Sequence, residues 1–422
     1  MVWELSTVQP RGSPPGNVWQ SGKAFATVYR EPGERIFGNF LSVGISLLCL
    51  VKCTRQFTEL NMPQATPDIP RDDSQEVTVA ADLLQQVVKA VLIRKGMFET
   101  EAEIATDRMV EADLRGIFSH GSRCLPKYCS AMDDGDIDPR ALELPPNCDT
   151  PAIAVLEGSR GLGHVAATRG MELAIEKAGE VGTGTVSIKN GQHFGAAAVY
   201  VQLAIDAGMI GFCTTSTGTA TVAAFGSREP GTANNALAWG FPTSSGAPFI
   251  LDMAVAEASW GKIETRGMYG LPIPEGWALD ENGDETTDAS AAKTLLPASG
   301  ARGFGLAFVC SGLASSLIGR CSPIRKVANP FGPGSDHFFY AIDPKHFGDP
   351  DGFLADMDAT AEQIHSLSPA DGFDKVRLCG ELEWERAQAW SQEGIPMHRD
   401  SVVKLAEFSR SLGCELPEGW PE

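Results

Sequence analysis

Residues 167–215 of this 422-residue chain read ATRGMELAIEKAGEVGTGTVSIKNGQHFGAAAVYVQLAIDAGMIGFCTT. Apolar side chains recur every three or four residues from 167 to 178, which predicts a helix that Gly182 closes. The rest of the stretch gives, in order, a strand at 185–189, a helix at 196–207 and a strand at 209–215. Alternating helices and strands indicate an α/β fold.

Further elements are predicted on both sides of this stretch. Leu84, Val88 and Val91 fall on one face of a first helix, and Thr100 with Glu103 makes a capping box for a second. The later predicted elements are a strand at 249–253 and helices at 302–317, 354–367, 381–392 and 401–412.

The first 75 residues differ in composition from the rest of the chain. Their apolar run at 36–51 is shorter than the roughly 20 residues that span a bilayer. The segment is a disordered leader, an extension upstream of a start at Met62, or a signal for organelle targeting or membrane anchoring. Of these, a membrane anchor is the least supported.

Charge excludes one class of partner. The chain has 34 Lys+Arg against 54 Asp+Glu, a net charge of −20, and no basic block. Nucleic-acid phosphates are bound by clustered cations, so we expect no nucleic-acid partner.

The ten cysteines contain no pair with C-x-x-C spacing, so neither a zinc site nor a redox motif is predicted. We interpret them as reduced thiols, mostly core residues, in a reducing compartment such as the cytoplasm. They are Cys49, Cys53, Cys124, Cys129, Cys148, Cys213, Cys310, Cys321, Cys379 and Cys414.

Common nucleotide and hydrolase motifs are missing from the sequence. The nearest match to the dinucleotide motif G-x-G-x-x-G is residues 158–163, GSRGLG, in which the spacing is reversed. A Rossmann domain is therefore not predicted. The sequence also lacks a P-loop, an H-E-x-x-H motif and a G-x-S-x-G elbow.

Two histidines are candidates for proton transfer. His120 follows a helix that ends near Gly116, and His193 lies between the strand that ends at Lys189 and the next helix. An imidazole in such a loop can exchange a proton with a substrate oxygen. Each could equally be a capping or core residue, and local sequence does not separate the two interpretations.

Two basic residues fit an anionic ligand. Arg123 follows His120 by three positions and is either the partner of a substrate carboxylate or a surface residue. Arg302 opens a glycine-rich helix whose backbone N–H groups suit a phosphate, although simple packing also explains these glycines.

Between Val77 and Leu412 the chain resembles the malate/L-lactate dehydrogenase family of NAD(P)-dependent oxidoreductases. That family also contains ureidoglycolate and sulfolactate dehydrogenases, 2,3-diketogulonate reductase and cyclic-imine reductases. The resemblance rests on Asp113-Leu-Arg-Gly-Ile-Phe-Ser-His-Gly121, Leu125-Pro-Lys-Tyr128, Gly135-Asp-Ile137, Gly161-Leu-Gly-His-Val-Ala-Ala167, His193-Phe-Gly195, Gly208-Met-Ile-Gly211, Leu251-Asp-Met-Ala254, Trp260-Gly-Lys262, Gly276-Trp-Ala278, Thr286-Thr-Asp288 and Arg302-Gly-Phe-Gly305.

The resemblance implies a mixed, largely antiparallel sheet domain for the cofactor, NAD or NADP, placed at 151–296. A mostly helical domain would be built from 76–150 and 297–422. It also implies a small-molecule substrate, a homodimer and no metal. The implied site residues are His120, His193 and Ser119 for catalysis, Arg123, Tyr128 and Asn234 for the substrate, and Thr217, Asp252, Met253, Ala254, Arg302, Cys379, Gly380 and Glu381 for the cofactor.

The sequence departs from the family pattern at three places. Cys124 occupies the position of the arginine that binds the substrate carboxylate, and Arg123 is one residue early. The family's Gly-Thr-Asn-Pro is replaced by residues 233–236, Ala-Asn-Asn-Ala, and its late-helix lysine by Arg302. Because a lost carboxylate partner costs about 2–5 kcal/mol, these changes predict a substrate other than malate or lactate.

Two hypotheses about function follow. The first is an enzyme that transfers hydride between NAD(P) and a 2-hydroxy or 2-oxo acid, or a related ureidoglycolate or cyclic imine. The second is an NAD(P)-binding protein with weak or no turnover. His120 and His193 favour the enzyme, and Cys124 favours the binding protein.

Overall fold

The computed structural model describes residues 2–4, 27–29, 70–141, 143–244, 246–327 and 334–421. In the unit formed by residues 1–64, the described part is two short antiparallel strands, β1 (Val2–Glu4) and β2 (Thr27–Tyr29). The apolar run at 36–51 lies outside the described residues, so the interpretations of the leader stay predictions.

Residues 65–422 form the second unit, which contains all further elements. Its α-helices are α1 (Ala81–Arg94), α2 (Glu99–Leu114), α3 (Leu125–Asp133), α4 (Gly163–Val181), α5 (Ala198–Asp206), α6 (Trp260–Met268), α7 (Ala301–Ala314), α8 (Pro350–His365), α9 (Glu381–Glu393) and α10 (Arg399–Ser411). Its strands are β3 (Glu76–Val79), β4 (Pro146–Asp149), β5 (Ile153–Glu157), β6 (Thr183–Gly191), β7 (Ile210–Ser216), β8 (Val222–Ala223), β9 (Pro230–Thr232), β10 (Ala236–Phe241), β11 (Phe249–Ala254), β12 (Ala278–Leu279), β13 (Glu285–Thr286), β14 (Thr294–Leu295), β15 (Ser335–Ile342) and β16 (Ile395–His398).

The main sheet has the strand order β11-β10-β7-β15-β6-β5-β4. Its neighbouring strands are antiparallel except β5 and β6, which run parallel. The sheet is therefore mixed and largely antiparallel, as the resemblance implied. It also includes β15 and β4, which lie outside the range 151–296 assigned to the sheet. That range must be corrected, because β15 pairs with both β6 and β7; the division into two domains stays a prediction.

Helices cover both faces of this sheet. On one face α4 and α5 bury small side chains, and β6 approaches α4 so closely that a Cβ on Gly184 would lie 2.0 Å from the Ala174 carbonyl oxygen. On the other face α7 buries Ala307 and Cys310. Successive residues of β15 reach both layers, since Phe339 belongs to the first core and Phe338 to the second.

A separate layer joins the two ends of the described unit. β3 pairs with β16, and α1, α2, α3 and α10 contribute to one apolar core. The predicted face of the first helix is confirmed, because Leu84, Val88 and Val91 are each fully buried there.

Most predicted elements are confirmed, but the capping box is wrong. α4 ends as predicted at Gly182, whose φ of 91° is a left-handed conformation that glycine adopts easily. α2, in contrast, has Phe98 as its N-cap, and no side chain caps it. Thr100 is therefore already inside the first turn, where the cap geometry is not available.

A smaller sheet completes the described fold. Its strands are ordered β13-β12-β14-β8-β9, and it packs with Ile263 of α6 and Ile273. Its strands β12, β13 and β14 lie with α6 along the chain between β11 and α7, whereas β8 and β9 lie between β7 and β10.

Candidate active site

The structure places the two candidate histidines side by side. His120 ends a short 3-10 turn, Phe118–His120, that follows α2, and His193 lies between β6 and α5. Their ring centroids are 5.6 Å apart, with an angle of 26° between the ring planes. Both residues are partly exposed, so a small molecule can reach them.

Ser119 is the hydrogen-bond partner of the first imidazole. Its Oγ lies 2.7 Å from Nδ1 of His120. When Nδ1 carries the proton and donates to Ser119, Nε2 of His120 is left with a free lone pair. Such a nitrogen can accept a proton from a substrate hydroxyl group.

Tyr128 fixes the protonation pattern of the second imidazole. Its hydroxyl lies 2.7 Å from Nδ1 of His193, and the backbone N–H of Gly195 donates to the same atom at 3.4 Å. A backbone N–H can only donate, so Nδ1 is the acceptor and the proton of neutral His193 is on Nε2. Burial raises the pKa of Tyr128 well above its usual range, which keeps its hydroxyl a donor.

Both imidazoles are neutral near pH 7. Burial, followed by the positive charges of Arg123, Lys127 and Lys262, lowers the pKa of His120 to about 4. Burial also lowers the pKa of His193 well below its usual range, with neighbouring imidazoles and Lys127 acting in the same direction.

A third imidazole supports this arrangement from within the core. His164, in the first turn of α4, is 1% exposed, and neither of its ring nitrogens has a hydrogen-bond partner among the described residues. Its ring meets Tyr128 edge-on, with 5.2 Å between centroids. Because burial lowers its pKa to about 3, His164 acts on Tyr128 as a neutral packing surface.

A buried carboxyl group holds the turn that carries His120. Asp113 of α2 accepts a hydrogen bond from the backbone N–H of Ser122, 2.8 Å from its Oδ2. A Cβ at position 121 would lie 2.0 Å from Oδ1 of Asp113, so only glycine fits there. Burial raises the pKa of Asp113 to about 7.

A second buried carboxylate holds the segment that leads to His193. Asp336, which is fully buried in β15, accepts hydrogen bonds from the backbone N–H of Asn190 and from Ser315. Lys326 and Arg320 pair with it at 3.2 and 3.1 Å. Asn190 has a φ of 58°, and these bonds fix that conformation at the end of β6.

Arg123 does not lie free beside the imidazoles. Its Nη1 donates to Thr265 Oγ1 at 2.8 Å and its Nη2 donates to the Gly261 carbonyl at 3.0 Å. The guanidinium thus ties the turn of His120 to α6. The neighbouring Cys124 donates from Sγ to the Ser119 carbonyl at 3.1 Å.

Asn234, predicted to bind substrate, has both ends of its amide hydrogen-bonded to the backbone. Its Nδ2 donates to the Ala258 carbonyl at 3.0 Å, and its Oδ1 accepts from the Ala256 N–H at 2.9 Å. Both ends of the amide are engaged in shaping the chain after β11. The side chain therefore holds the backbone at Ala256 and Ala258 in place.

Asn235, which the sequence analysis missed, joins three segments predicted to bind the cofactor. Its Oδ1 accepts from the Thr217 N–H, its carbonyl accepts from the Val255 N–H, and its Nδ2 donates to Ser311 of α7. The structure therefore brings Thr217, the end of β11 and α7 into one region.

The remaining predicted cofactor residues are divided between two places. Asp252 points to the α5 side of the sheet, where its Oδ2 accepts from the Ala198 N–H at 2.9 Å, whereas Met253 packs on the α7 side. Burial raises the pKa of Asp252 to about 6. The turn 379–381 contacts β11 nearer to the start of the strand, where the Cys379 carbonyl accepts from the Ile250 N–H. Glu381 in this turn is paired with His365.

The groups around Asn235 have the chemistry that a dinucleotide needs. Arg302 is exposed in the first turn of α7, where its positive charge suits a phosphate. The hydroxyl of Ser216, next to Thr217, is buried without a hydrogen-bond partner among the described residues. A polar ligand could satisfy that hydroxyl. Among the described residues, no three His, Cys, Asp or Glu side chains are grouped so that they could hold a metal ion.

Comparison with known proteins covers most of the chain. The sequence profile of the malate/L-lactate dehydrogenase family matches residues 79–406. The L-sulfolactate dehydrogenase of Methanocaldococcus jannaschii is 35% identical over 79% of this chain and 97% of its own length. The ureidoglycolate dehydrogenase (NAD(+)) of Escherichia coli O157:H7 is 30% identical over 76% of this chain and 93% of its own length.

The fold has the same relatives. The crystal structure of malate dehydrogenase from Entamoeba histolytica superposes with a TM-score of 0.77 at 27% sequence identity, covering 81% of this chain and 100% of that protein.

Proposed function

This chain belongs to the malate/L-lactate dehydrogenase family, and on that premise we propose that it transfers hydride between a nicotinamide cofactor and a 2-hydroxy acid or its 2-oxo acid. It is an NAD(P)-dependent dehydrogenase that acts on CH–OH groups. The observation that carries the proposed chemistry is the pair His120 and His193, stacked at 5.6 Å and partly exposed.

The two imidazoles take different roles in this proposal. His193 presents a fixed N–H at Nε2, because Tyr128 and Gly195 occupy Nδ1, and it donates a hydrogen bond to the substrate oxygen. His120 accepts the hydroxyl proton at Nε2 during oxidation and returns it during reduction, with Ser119 holding Nδ1. The bound nicotinamide supplies or accepts the hydride.

The cofactor would lie along the region that Asn235 assembles. Thr217, Met253 and Ala254 border that region, and Arg302 would meet a phosphate. Asp252, on the opposite face of β11, accepts a hydrogen bond from the Ala198 N–H. The E. coli relative is named for NAD+, and the proposed cofactor of this chain is NAD or NADP.

The substrate class is proposed from the relatives and from the site. The relatives are named for sulfolactate, malate and ureidoglycolate, which all carry an anionic group beside the reacting carbon. Partly exposed, neutral imidazoles suit a small oxygen-bearing substrate of this kind. A cyclic imine is a further substrate to be assayed.

We also propose a homodimer formed through α7. Its buried face contacts the sheet, while the opposite face exposes Phe308, at 76%, together with Leu306 and Val309. By length and composition Ala301–Ile318 could cross a membrane, but one third of it is buried in the fold. An exposed apolar helix face is typical of a protein interface, and cytoplasmic location stays a prediction.

The test is steady-state kinetics with the full-length chain. Oxidation of NADH and NADPH is measured with oxaloacetate, pyruvate, sulfopyruvate, other 2-oxo acids and a cyclic imine carboxylate, and cofactor binding is measured in parallel. We expect turnover with at least one 2-oxo acid. Cofactor binding without any turnover would contradict the proposal and support a binding protein.

A further inference from the structure

The positive charge that should meet the substrate's carboxylate is not where the family pattern puts it. Cys124 occupies the arginine position, and its thiol donates a hydrogen bond to the Ser119 carbonyl. Arg123 cannot replace the arginine in this structure, because both of its terminal nitrogens donate hydrogen bonds to Thr265 and Gly261 of α6. A buried or half-buried carboxylate needs a cationic partner, so another cation must serve.

Lys127 is placed to be that cation. In helical geometry residues three and four apart share a face, so Lys127 and Tyr128 lie on the same side of α3 as Cys124. Tyr128 is hydrogen-bonded to His193, so Lys127 directly precedes a residue of the site. The charge of Lys127 lowers the pKa of both His120 and His193, in agreement with this placement.

Lys262 approaches the same site from a second element. It lies in the first turn of α6, whose N-cap Ser259 binds its backbone N–H. The preceding Gly261 is so close to Ser119 that a Cβ there would lie 2.3 Å from the serine Cβ. The charge of Lys262 acts on His120 and on Asp252.

Both ammonium groups are available to a ligand. Lys127 and Lys262 are exposed, and within the part of the chain that the structure describes neither is within ion-pair distance of a carboxylate. We propose that Lys127 and Lys262 together bind the anionic groups of the substrate and make this enzyme prefer dianionic 2-oxo acids to monoanionic ones. The proposal rests on the proposed function and assigns the specificity of the same site.

Two cations on different elements explain such a preference. A monoanionic acid needs one ammonium partner for its carboxylate. A dianionic acid carries a second negative charge, which can pair with Lys262 of α6. Hydrogen bonds to charged groups contribute enough that losing one raises KM by about ten- to hundredfold.

The test compares Lys127→Met, Lys262→Met and the double variant with the wild type, using oxaloacetate and pyruvate. Each single variant is expected to raise KM for oxaloacetate at least about tenfold, with kcat within about threefold and KM for the reduced cofactor unchanged. The double variant should lose most of the preference for oxaloacetate over pyruvate. Lys127→Arg, which keeps the charge, should restore most of the binding.

Controls separate this proposal from a structural effect and from failure of the proposed function. Lys404→Met removes an exposed lysine of α10 and should leave both KM values unchanged. Wild-type turnover with unchanged KM in the double variant would overturn the lysine proposal alone. A fall in kcat with no change in KM would overturn it too. Absence of wild-type turnover with every 2-oxo acid would instead reject the proposed function.

Discussion

The hydroxyl of Tyr128 lies 2.7 Å from Nδ1 of His193, and together with the Gly195 N–H it leaves Nε2 as the nitrogen that carries the proton. The two residues come from α3 and from the β6–α5 connection, so the contact also joins the helical layer to the sheet. Tyr128 is thus placed to position His193, and the role in substrate binding that the resemblance implied stays a prediction.

Removing that contact should reduce turnover without reducing cofactor binding. In Tyr128→Phe only the longer bond from the Gly195 N–H, at 3.4 Å, still holds Nδ1 of His193 as an acceptor, so the other tautomer becomes partly populated and Nε2 is a less reliable donor. We expect kcat to fall by about ten- to hundredfold. Stopped-flow cofactor binding and steady-state kinetics measure both quantities. Unchanged kcat in this variant would show that the tautomer is not set by Tyr128.

The pH dependence of oxidation should reflect the lowered pKa of His120. With a pKa of about 4, its imidazole is neutral, and able to accept a proton, throughout the range above pH 5. As the pH is lowered, the kcat/KM for oxidation of the 2-hydroxy acid should therefore show no fall near pH 6.5 (no limb of the pH profile there) from protonation of His120. A limb near 7 that disappears in Asp113→Asn would report the carboxyl of Asp113, whose pKa is raised to about 7. A limb near 6.5 that Asp113→Asn leaves in place would contradict the assignment.

Restoring the family arginine should broaden the substrate range. Cys124→Arg places a guanidinium beside the Ser119 carbonyl and is expected to lower KM for pyruvate about tenfold, because a planar guanidinium binds a carboxylate through two donors. Cys124→Ser, which keeps the size, should not change KM. No gain for pyruvate in the arginine variant would show that position 124 does not face the substrate.

Breaking the buried ion pair of Asp336 should destabilise the fold. Asp336→Asn leaves Lys326, whose side chain is 0% exposed, without its carboxylate, at a cost of about 3–5 kcal/mol in the free energy of unfolding. Urea unfolding measures the change. The matched control is Asp284→Asn, which breaks an exposed pair with Arg228 and should cost less than about 1 kcal/mol. Equal effects of the two substitutions would show that the buried pair contributes no more to the free energy of unfolding than the exposed pair.

The proposed dimer depends on the exposed face of α7. Phe308→Asp should convert a dimer, with twice the mass of the 44.9 kDa chain, into a monomer. Light scattering after size exclusion measures the mass. Phe347→Asp replaces a phenylalanine with nearly the same exposure, 75%, outside α7, and should leave the dimer intact. A wild-type monomer would exclude this proposal directly.

The sequence predicted most of the helices and the strands β6, β7 and β11, because their apolar periodicity is local. The faces of α1 and α4 are examples, since each depends on residues within a few turns. Strand β15 was missed although it lies in the middle of the sheet, because its pairing with β6 and β7 joins residues more than 100 positions apart. The polar pair Asp336 and His337 at its start was the available signal.

Candidate site residues were predicted more completely than their partners. The sequence singled out His120 and His193, but the bonds that orient them come from Tyr128, Asp113 and Asp336, which reach across elements. The directions of side chains were also beyond the sequence. The Arg123 guanidinium, for example, turns to α6, and no local pattern shows which carbonyl group it meets.

The most direct test of the account is His120→Ala, measured for cofactor binding and for turnover in the same preparation. Because the imidazole handles the proton and not the nucleotide, we predict unchanged affinity for the reduced cofactor and a loss of kcat of about a hundredfold or more. Turnover equal to that of the wild type would contradict the assignment of His120 as the proton-transfer group.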